Sequence, residues 1–266
     1  MVAVSVAAVL SACGSPRSAD DAAPQRYVEE PTVSQAAQQR YGQRARQAYE
    51  EMARFQLDEW LRSELVAPGA PTPTPQQLTD AIKPRLAPTT APVWDAAVAA
   101  ALAGNEDEMN LVRVLRYYNL QAPTLKAPDG GNFITGESVT RGSVDVGAVR
   151  SDGIVPLVVS FRQKGRLDLL SGRSPSPVDL SKDLSLNVVP IEELDRVAAA
   201  AGTPAPQGTA TSPTQARDPR ITWLIVSFEG DLSPSSREAP EETPSTAATP
   251  TATPAAITPG TPSATS

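Results

Sequence analysis

The chain of 266 residues contains no histidine and only one cysteine. Without histidine, neither a Ser-His nor a Cys-His pair is available for nucleophilic catalysis. The single cysteine excludes a disulfide within the chain, and the two shortages together exclude the usual Cys/His zinc sites. Aromatic residues make up 5% of the chain, and the net charge is −7. Because nucleic-acid-binding proteins are typically basic, we expect no nucleic acid among the partners.

The only cysteine, Cys13, directly follows an uncharged apolar run from Val2 to Ala12. This run is too short to span a membrane, which takes about 20 apolar residues, and it is typical of the hydrophobic part of a secretion signal. The end of the run, Leu10-Ser11-Ala12-Cys13, resembles the lipobox of bacterial lipoprotein signal peptides.

The resemblance to bacterial lipoproteins implies a covalent lipid anchor. Residues 1–12 would be the removed signal peptide, and Cys13 would receive a diacylglycerol thioether and become the first residue of the mature protein. Two or three acyl chains, such as palmitate, would hold the protein on the extracytoplasmic face of the cell membrane. Signals of this class carry Lys or Arg before the apolar run, and a start codon upstream of Met1 would account for their absence here. The alternative, an ordinary buried thiol, fits poorly with the position of Cys13 behind the apolar run.

Both ends of the chain have the composition of disordered segments. Residues 13–31 lack hydrophobic periodicity and predict a flexible tether behind the lipidated cysteine. Residues 233–266 are mostly Ser, Thr, Pro and Ala, with too little apolar surface to offset the conformational entropy of folding. This disordered tail suits O-glycosylation or contact with the cell wall, although a passive solubilising tail is the simpler interpretation. The folded body is expected over residues 32–232.

The first part of the body, residues 32–120, is predicted to be helical. The proline-free segment from Ser34 to Leu65 has apolar residues at helical spacing, with a shift of the apolar face that predicts a bend near Gln56. Thr74-Pro75 predicts an N-cap followed by proline in the first turn. Two further helices are predicted, over residues 90–102 and over residues 105–118.

The second part of the body, residues 121–232, is predicted to be rich in strands. Short alternating segments between turn signals predict six strands, over residues 133–140, 143–149, 154–161, 166–170, 184–189 and 220–228. Residues 162–165 are expected to turn the chain, and residues 171–182 to form a Ser/Pro-rich loop. The last strand is nearly all apolar, which argues for a central position in the sheet. A late helix over residues 190–201 and a flexible insertion over residues 203–219 precede that strand.

The order of these elements predicts the fold class. Helices followed by strands indicate an α+β fold, in which N-terminal helices pack on a mostly antiparallel sheet. A sheet curved around the helices would form a cone with a pocket.

An enzyme with this composition would need paired carboxylates or a Ser-Lys arrangement. The acids of the strand-rich part mostly fall in predicted turns, where aspartate is common: Glu137, Asp145, Asp152, Asp168, Asp179 and Asp183. None of the four lysines is predicted to be buried and thereby activated: Lys83, Lys126, Lys164 and Lys182. Three consecutive acids, Glu106-Asp107-Glu108, are interpreted as partners of a helix dipole and not as a metal site.

The sequence therefore predicts no catalytic residue, metal site or cofactor, and it leaves the ligand-binding residues open. The first hypothesis is a membrane-anchored extracytoplasmic lipoprotein whose non-catalytic domain binds an envelope protein, a wall polymer or a small apolar ligand. The second is a carboxylate-dependent hydrolase acting outside the cytoplasmic membrane. A pocket lined by tryptophan and aliphatic side chains favours the first, and two acids about 5–10 Å apart in a deep pocket favour the second. A purely structural spacer is a third interpretation.

Overall fold

The computed structural model describes residues 25–129, 132–200 and 218–236 of the chain. It confirms the α+β class, with seven α-helices and one mostly antiparallel sheet of seven strands in the described residues. Cys13 with its lipobox, most of the predicted tether and tail, and most of the predicted insertion lie outside the described residues. None of the described helices is long and apolar enough to cross a membrane.

The N-terminal helices follow one another with short links. In chain order the helices are α1 (Gln35–Tyr41), α2 (Gln43–Glu59), α3 (Ser63–Val66), α4 (Pro75–Thr79), α5 (Ala91–Leu102), α6 (Glu106–Leu115) and α7 (Ile191–Ala200). The predicted helix over residues 34–65 is interrupted at Gly42, whose backbone φ of 57° is in the left-handed region that favours glycine. Side-chain caps mark two helix starts, at Thr74 for α4 and at Asn105 for α6.

Helix α6 ends three residues earlier than its sequence pattern predicts. Arg116 has an extended backbone, and the Tyr117 amide donates to the Trp60 carbonyl and not to the preceding helical turn. A tertiary contact with the end of α2 therefore stops the helix.

Four long strands form a meander that makes up most of the sheet. The strands are β1 (Gln25–Val28), β2 (Thr32–Val33), β3 (Leu125–Lys126), β4 (Ile134–Val146), β5 (Leu157–Ser171), β6 (Ser174–Pro190) and β7 (Trp223–Ser236). The main order is β1-β4-β5-β6-β7, with β2 also paired to β4 and β3 to β5. β1 and β2 run parallel to β4, and the other pairs are antiparallel. The two strands predicted over residues 133–149 are one strand with a register shift between Thr140 and Ser143.

The predicted turn at residues 162–165 is wrong, because β5 continues through it. Arg162 and Lys164 point away from the core, whereas Gln163 and Gly165 are buried. A run of polar residues is compatible with a strand when alternate residues face solvent. We call the buried side the helix face of the sheet and the other side its open face.

The predicted loop over residues 171–182 is also wrong, because most of it belongs to β6. Pro175 and Pro177 lie near the hairpin that joins β5 to β6. In the described residues, the pairing of β6 with β7 ends at Val178, whose partner is Ser236. Pro175 and Pro177 therefore lie in a part of β6 that has no described strand on the β7 side. A free edge tolerates proline because no N–H group is required there.

β7 is the last strand of the sheet and not a central one. Its run of apolar residues is compatible with an edge position because the segment before α5 covers the outer edge of the strand. The Ala87 amide donates to Ile225 O at 2.9 Å, and Thr90 Oγ1 donates to Val226 O at 2.8 Å. Trp223 and Ile225 are buried in the core. Sequence alone does not distinguish an edge strand covered by helical segments from a central strand.

The core lies between the helix face of the sheet and α2. Tyr49 of α2 packs edge to face on Phe161, with ring centroids 6.1 Å apart. Two glycines permit the close approach of α2 and of the residues that follow it. A Cβ atom at Gly142 would lie 2.4 Å from the Tyr49 hydroxyl, and one at Gly165 would lie 2.2 Å from Leu61 Cδ1.

Strands at the two sheet edges extend the folded body beyond its predicted limits. β1 starts at Gln25, within the segment assigned to the tether, and β7 reaches Ser236, within the segment assigned to the tail. Arg26 of β1 binds Asp58 of α2 at 2.7 Å and lies 3.4 Å from Glu137 of β4. β1 is therefore attached to both a helix and the sheet.

Candidate functional site

The six acids singled out in the strand-rich part each interact with a nearby group in the folded chain. The Ser34 hydroxyl donates to Asp145 at 2.7 Å, and the pKa of that carboxyl is lowered mainly for this reason. Arg150 donates to Asp152 and Arg162 donates to Asp183, and these hydrogen bonds hold the pKa of both carboxyls below the usual range.

The remaining acids of this group also lie beside arginines. Arg166 binds Asp168 at 2.8 Å and interacts electrostatically with Asp179. Glu137 faces Arg26. Among the described residues, no group of three or more acids could hold a metal ion.

Lys182 contradicts the prediction that all lysines are exposed. It lies on the helix face of β6 with 1% of its surface exposed. Its ammonium donates to Gln56 Oε1 and to the Val114 carbonyl, and it lies 4.4 Å from the centre of the Trp60 ring. Burial lowers the pKa of Lys182 well below 10.5, and the negative charge of Glu137 offsets this only in part.

Glu137 and two glutamines complete a buried polar cluster around Lys182. The Glu137 side chain is 1% exposed, and burial raises the pKa of its carboxyl to about 7. Gln163 Nε2 donates to the Gln56 carbonyl at 3.1 Å. Three atoms of the cluster have no hydrogen-bond partner in the described part of the chain: Gln56 Nε2, Glu137 Oε1 and Gln163 Oε1. The cluster is Gln56, Glu137, Gln163 and Lys182.

Lys182 is not an accessible nucleophile. A low pKa is a typical feature of a nucleophilic lysine. However, Lys182 is covered by Trp60 and by the end of α2, so a substrate has no access to its amine. Its hydrogen bonds link α2, α6 and β6, and the cluster is a structural element of the core.

A pocket of about 740 Å³ lies across strands β1, β4, β5 and β6, and its lining includes Glu137 and Asp179. Its exposed cations include Arg162, Lys164 and Arg166 of the open face. Arg162 is paired with Asp183 and Arg166 with Asp168, so the charges on this surface are largely balanced. A solvated polar face is the normal state of an antiparallel sheet that is covered on one side.

An apolar groove lies where α5 and α6 meet β7, and we call it the Trp94 groove. It encloses about 240 Å³ and is lined by Thr89, Thr90, Val93, Trp94, Ala97, Leu111, Val226, Ser227 and Phe228. The lining contains no charged residue among those described. Val93 is 64% exposed, although it is a large apolar side chain.

Trp94 is the central residue of this groove. Its ring packs edge to face on Phe228, with centroids 5.9 Å apart. Its indole Nε1 is buried and has no hydrogen-bond partner among the described residues. The groove therefore has a mostly apolar lining, with hydroxyl groups at Thr89, Thr90 and Ser227.

A second pocket, of about 350 Å³, lies next to the Trp94 groove, and we call it the α6 pocket. Asp107 and Arg113 of α6 line it together with Leu180 of β6 and Asp231 of β7. Leu111 lines both the α6 pocket and the Trp94 groove. Asp107 is one of the three consecutive acids in the first turn of α6.

The sequence pattern does not indicate these two sites, although their parts fall within predicted elements. Val93 and Trp94 lie in the helix predicted over residues 90–102, and Phe228 is the last residue of the strand predicted over residues 220–228. Nothing in the local pattern indicates that this helix lies beside the edge of that strand.

Comparison with known proteins gives no match to the chain: no family model, no curated protein and no solved structure is significantly similar to it.

Proposed function

We propose that the protein is a lipid-anchored extracytoplasmic lipoprotein whose body is a non-catalytic binding domain. The anchor is the acylated Cys13, and the binding site is the Trp94 groove. The observation that carries the proposal is the groove itself, which has an aromatic and aliphatic lining without charge. Such a lining is typical of sites that bind an apolar group.

The dimensions of the Trp94 groove suit a group of modest size. Its volume of about 240 Å³ exceeds the roughly 150 Å³ of a cavity that binds one benzene ring. Trp94 Nε1 is itself buried, so recognition rests on the apolar surface of the lining. We therefore propose an apolar group as the ligand.

The arrangement of the acids supports binding over hydrolysis. A carboxylate pair that hydrolyses glycosidic bonds needs one acid with a raised pKa and a second acid in reach of the same substrate. Glu137 has the raised pKa and lines the 740 Å³ pocket, but its side chain is 1% exposed and lies beside Arg26. Asp145, Asp152 and Asp183 have lowered pKa values because they accept hydrogen bonds.

The anchor is tested in the native host by membrane fractionation and intact mass, comparing the wild type with Cys13→Ser. The wild type should be in the membrane fraction, with a mass that exceeds the chain from Cys13 by two or three acyl chains. Cys13→Ser should be released without the added mass. A soluble wild type that starts at Met1 would overturn the anchor.

The groove is tested with the neutral apolar dye Nile red, on the full chain carrying Cys13→Ser. We expect dye fluorescence to increase on binding, and Val93→Asp to weaken binding at least tenfold because it places a charge in the groove. Val149→Asp is the matched control, since Val149 is 69% exposed and does not line the groove. Equal binding by the two variants would show that the dye binds elsewhere and would remove the groove from the proposal.

A further inference from the structure

The amine of Lys182 has an acyl group next to it inside the core. Lys182 Nζ lies 2.5 Å from Gln56 Oε1, so the nitrogen is next to the carboxamide of that side chain. A carboxamide is an acyl group, and an amine can attack its carbon atom. Lys182 is 1% exposed, but a reaction partner that already lies in the core needs no access from solvent.

The surroundings of Lys182 favour the neutral form of its amine. Burial lowers the pKa of this group well below 10.5, and the centre of the Trp60 ring lies 4.4 Å from Nζ. Among the described residues, Glu137 is the charged group that acts on the amine, and its effect is smaller than that of burial. The neutral amine is the nucleophile, so at a given pH a larger fraction of Lys182 than of an exposed lysine is reactive.

Glu137 supplies an acid on the same face of the sheet. It pairs with Gly165, which has no side chain, while Gln163 and Lys182 pair with each other one row further along. Long side chains on one face of a sheet reach such diagonal neighbours. Burial raises the pKa of the Glu137 carboxyl to about 7, so near neutral pH both its protonated and its ionised forms are populated. Such a group can both donate and accept a proton.

Two unpaired atoms of the buried polar cluster belong to the groups that such a reaction uses. Within the described residues, Gln56 Nε2 and Glu137 Oε1 are buried and have no hydrogen-bond partner. The first is the leaving nitrogen of the carboxamide, and the second belongs to the carboxyl that carries the proton. A buried polar atom without a partner costs free energy, so loss of the Nε2 group as ammonia removes that cost. The new amide N–H keeps the Val114 carbonyl as its acceptor.

We propose that Lys182 and Gln56 form an internal isopeptide bond. The lone pair of Lys182 Nζ attacks Gln56 Cδ and forms the new C–N bond, and the bond from Cδ to Nε2 breaks. One proton of the amine passes through the Glu137 carboxyl to Nε2, which leaves as ammonia. The reaction exchanges one amide for another, so it needs no oxidant, reductant or added reactant. This inference depends on neither the lipid anchor nor the Trp94 groove.

The isopeptide bond joins α2 to β6 across 126 residues of the chain. It connects the helices to the meander in a protein whose single cysteine excludes an internal disulfide. Reducing agents do not break an amide, so the link persists where a disulfide would be lost. A covalent loop of this length restricts the unfolded chain, and the reacted protein should therefore melt at a higher temperature than the unreacted protein.

The test is the intact mass of the full chain carrying Cys13→Ser, measured on fresh protein and after several days at pH 8. The amine must first leave its hydrogen bonds to Gln56 and to the Val114 carbonyl, so the reaction should be slow and Lys182 should still be free in fresh protein. We then expect a loss of about 17 Da, the mass of the displaced ammonia. Trypsin does not cleave after a modified lysine, so digestion should give residues 55–62 joined to residues 174–196.

Variants of the same chain separate the three roles. Lys182→Met and Gln56→Leu should keep the full mass, because the amine or the carboxamide is missing. Glu137→Gln should slow the loss of mass at least tenfold, because a carboxamide cannot carry the proton. Lys164→Met, the matched change at an exposed lysine, should lose the same mass at the same rate as the parent chain. Near-UV circular dichroism of the fresh proteins shows which variants are folded.

Three outcomes would overturn the inference. The first is an unchanged mass of the folded parent chain after incubation. The second is a loss of ammonia that persists in Lys182→Met, or that the digest places elsewhere, such as a succinimide at an asparagine. The third is an equal rate in the parent chain and in folded Glu137→Gln, a variant close in shape to the original side chain.

Discussion

Replacing Glu137 by glutamine should change how the stability of the protein depends on pH. The Glu137 carboxyl is 1% exposed, and burial raises its pKa from 4.5 to about 7. The folded protein holds this proton up to about pH 7, whereas the unfolded chain releases it near 4.5. Between these values the folded state binds more protons, so the free energy of unfolding falls as the pH rises.

The size of this effect follows from the two pKa values. At 1.36 kcal/mol per pH unit, the window from 4.5 to about 7 corresponds to about 3 kcal/mol. About 2.5 kcal/mol of this falls between pH 5 and pH 8. Glu137→Gln cannot titrate, so the variant should lack this loss while keeping all other pH effects.

The assay is urea unfolding at pH 5 and pH 8 of the wild type, Glu137→Gln and Glu30→Gln. Glu30 is the control, because its side chain is 87% exposed and its neutralisation should leave the pH dependence close to that of the wild type. The wild type should lose about 2.5 kcal/mol more than Glu137→Gln from pH 5 to pH 8. The same loss in both proteins would refute the assignment of the effect to this buried carboxyl.

Two further predictions concern Lys182 and Gly142. Because the pKa of buried Lys182 is low, the folded state releases this proton at a lower pH than the unfolded chain does. The free energy of unfolding of the wild type should therefore rise as the pH increases towards 10.5. Urea unfolding at pH 8 and pH 10 should show that Lys182→Met removes this rise while Lys164→Met, at an exposed lysine, keeps it; an unchanged rise in Lys182→Met would contradict the argument. Gly142→Ala should cost about 1–3 kcal/mol, because its Cβ would lie 2.4 Å from the Tyr49 hydroxyl. The control is Gly136→Ala, because a Cβ atom at Gly136 has nothing within 4 Å, and its stability in thermal unfolding should be close to that of the wild type. An equal loss of stability in both glycine variants would show that the contact with Tyr49 is not the cause.

Local signals in the sequence predicted the helices better than the strands. Thr74-Pro75 and Asn105 mark real helix starts because a cap acts within three residues. The strand ends depend on the partner strand. Residues 162–165 look like a turn, yet they continue β5 because β4 and β6 pair with them on both sides.

The buried polar cluster was beyond prediction from the sequence. Lys182 shares its face of β6 with Leu180 and Leu184, but the loop predicted over residues 171–182 assigns it to no face. Its hydrogen-bond partners Gln56 and Val114 are 126 and 68 residues away in the chain. The Trp94 groove was missed for the same reason, because α5 and β7 meet only in the folded protein.

The distance across the sheet can be compared with the reach of the proposed anchor. The chain enters the sheet at β1, and β7 is four strand spacings away, which is about 19 Å at 4.8 Å per spacing. Fully extended, the twelve residues from Cys13 to Gln25 reach about 40 Å. Because this reach is about twice the distance between the two edges, an anchor at Cys13 would leave the domain free to turn at the membrane. The Trp94 groove, which lies at β7, would then be open to partners in the membrane plane as well as to partners farther out.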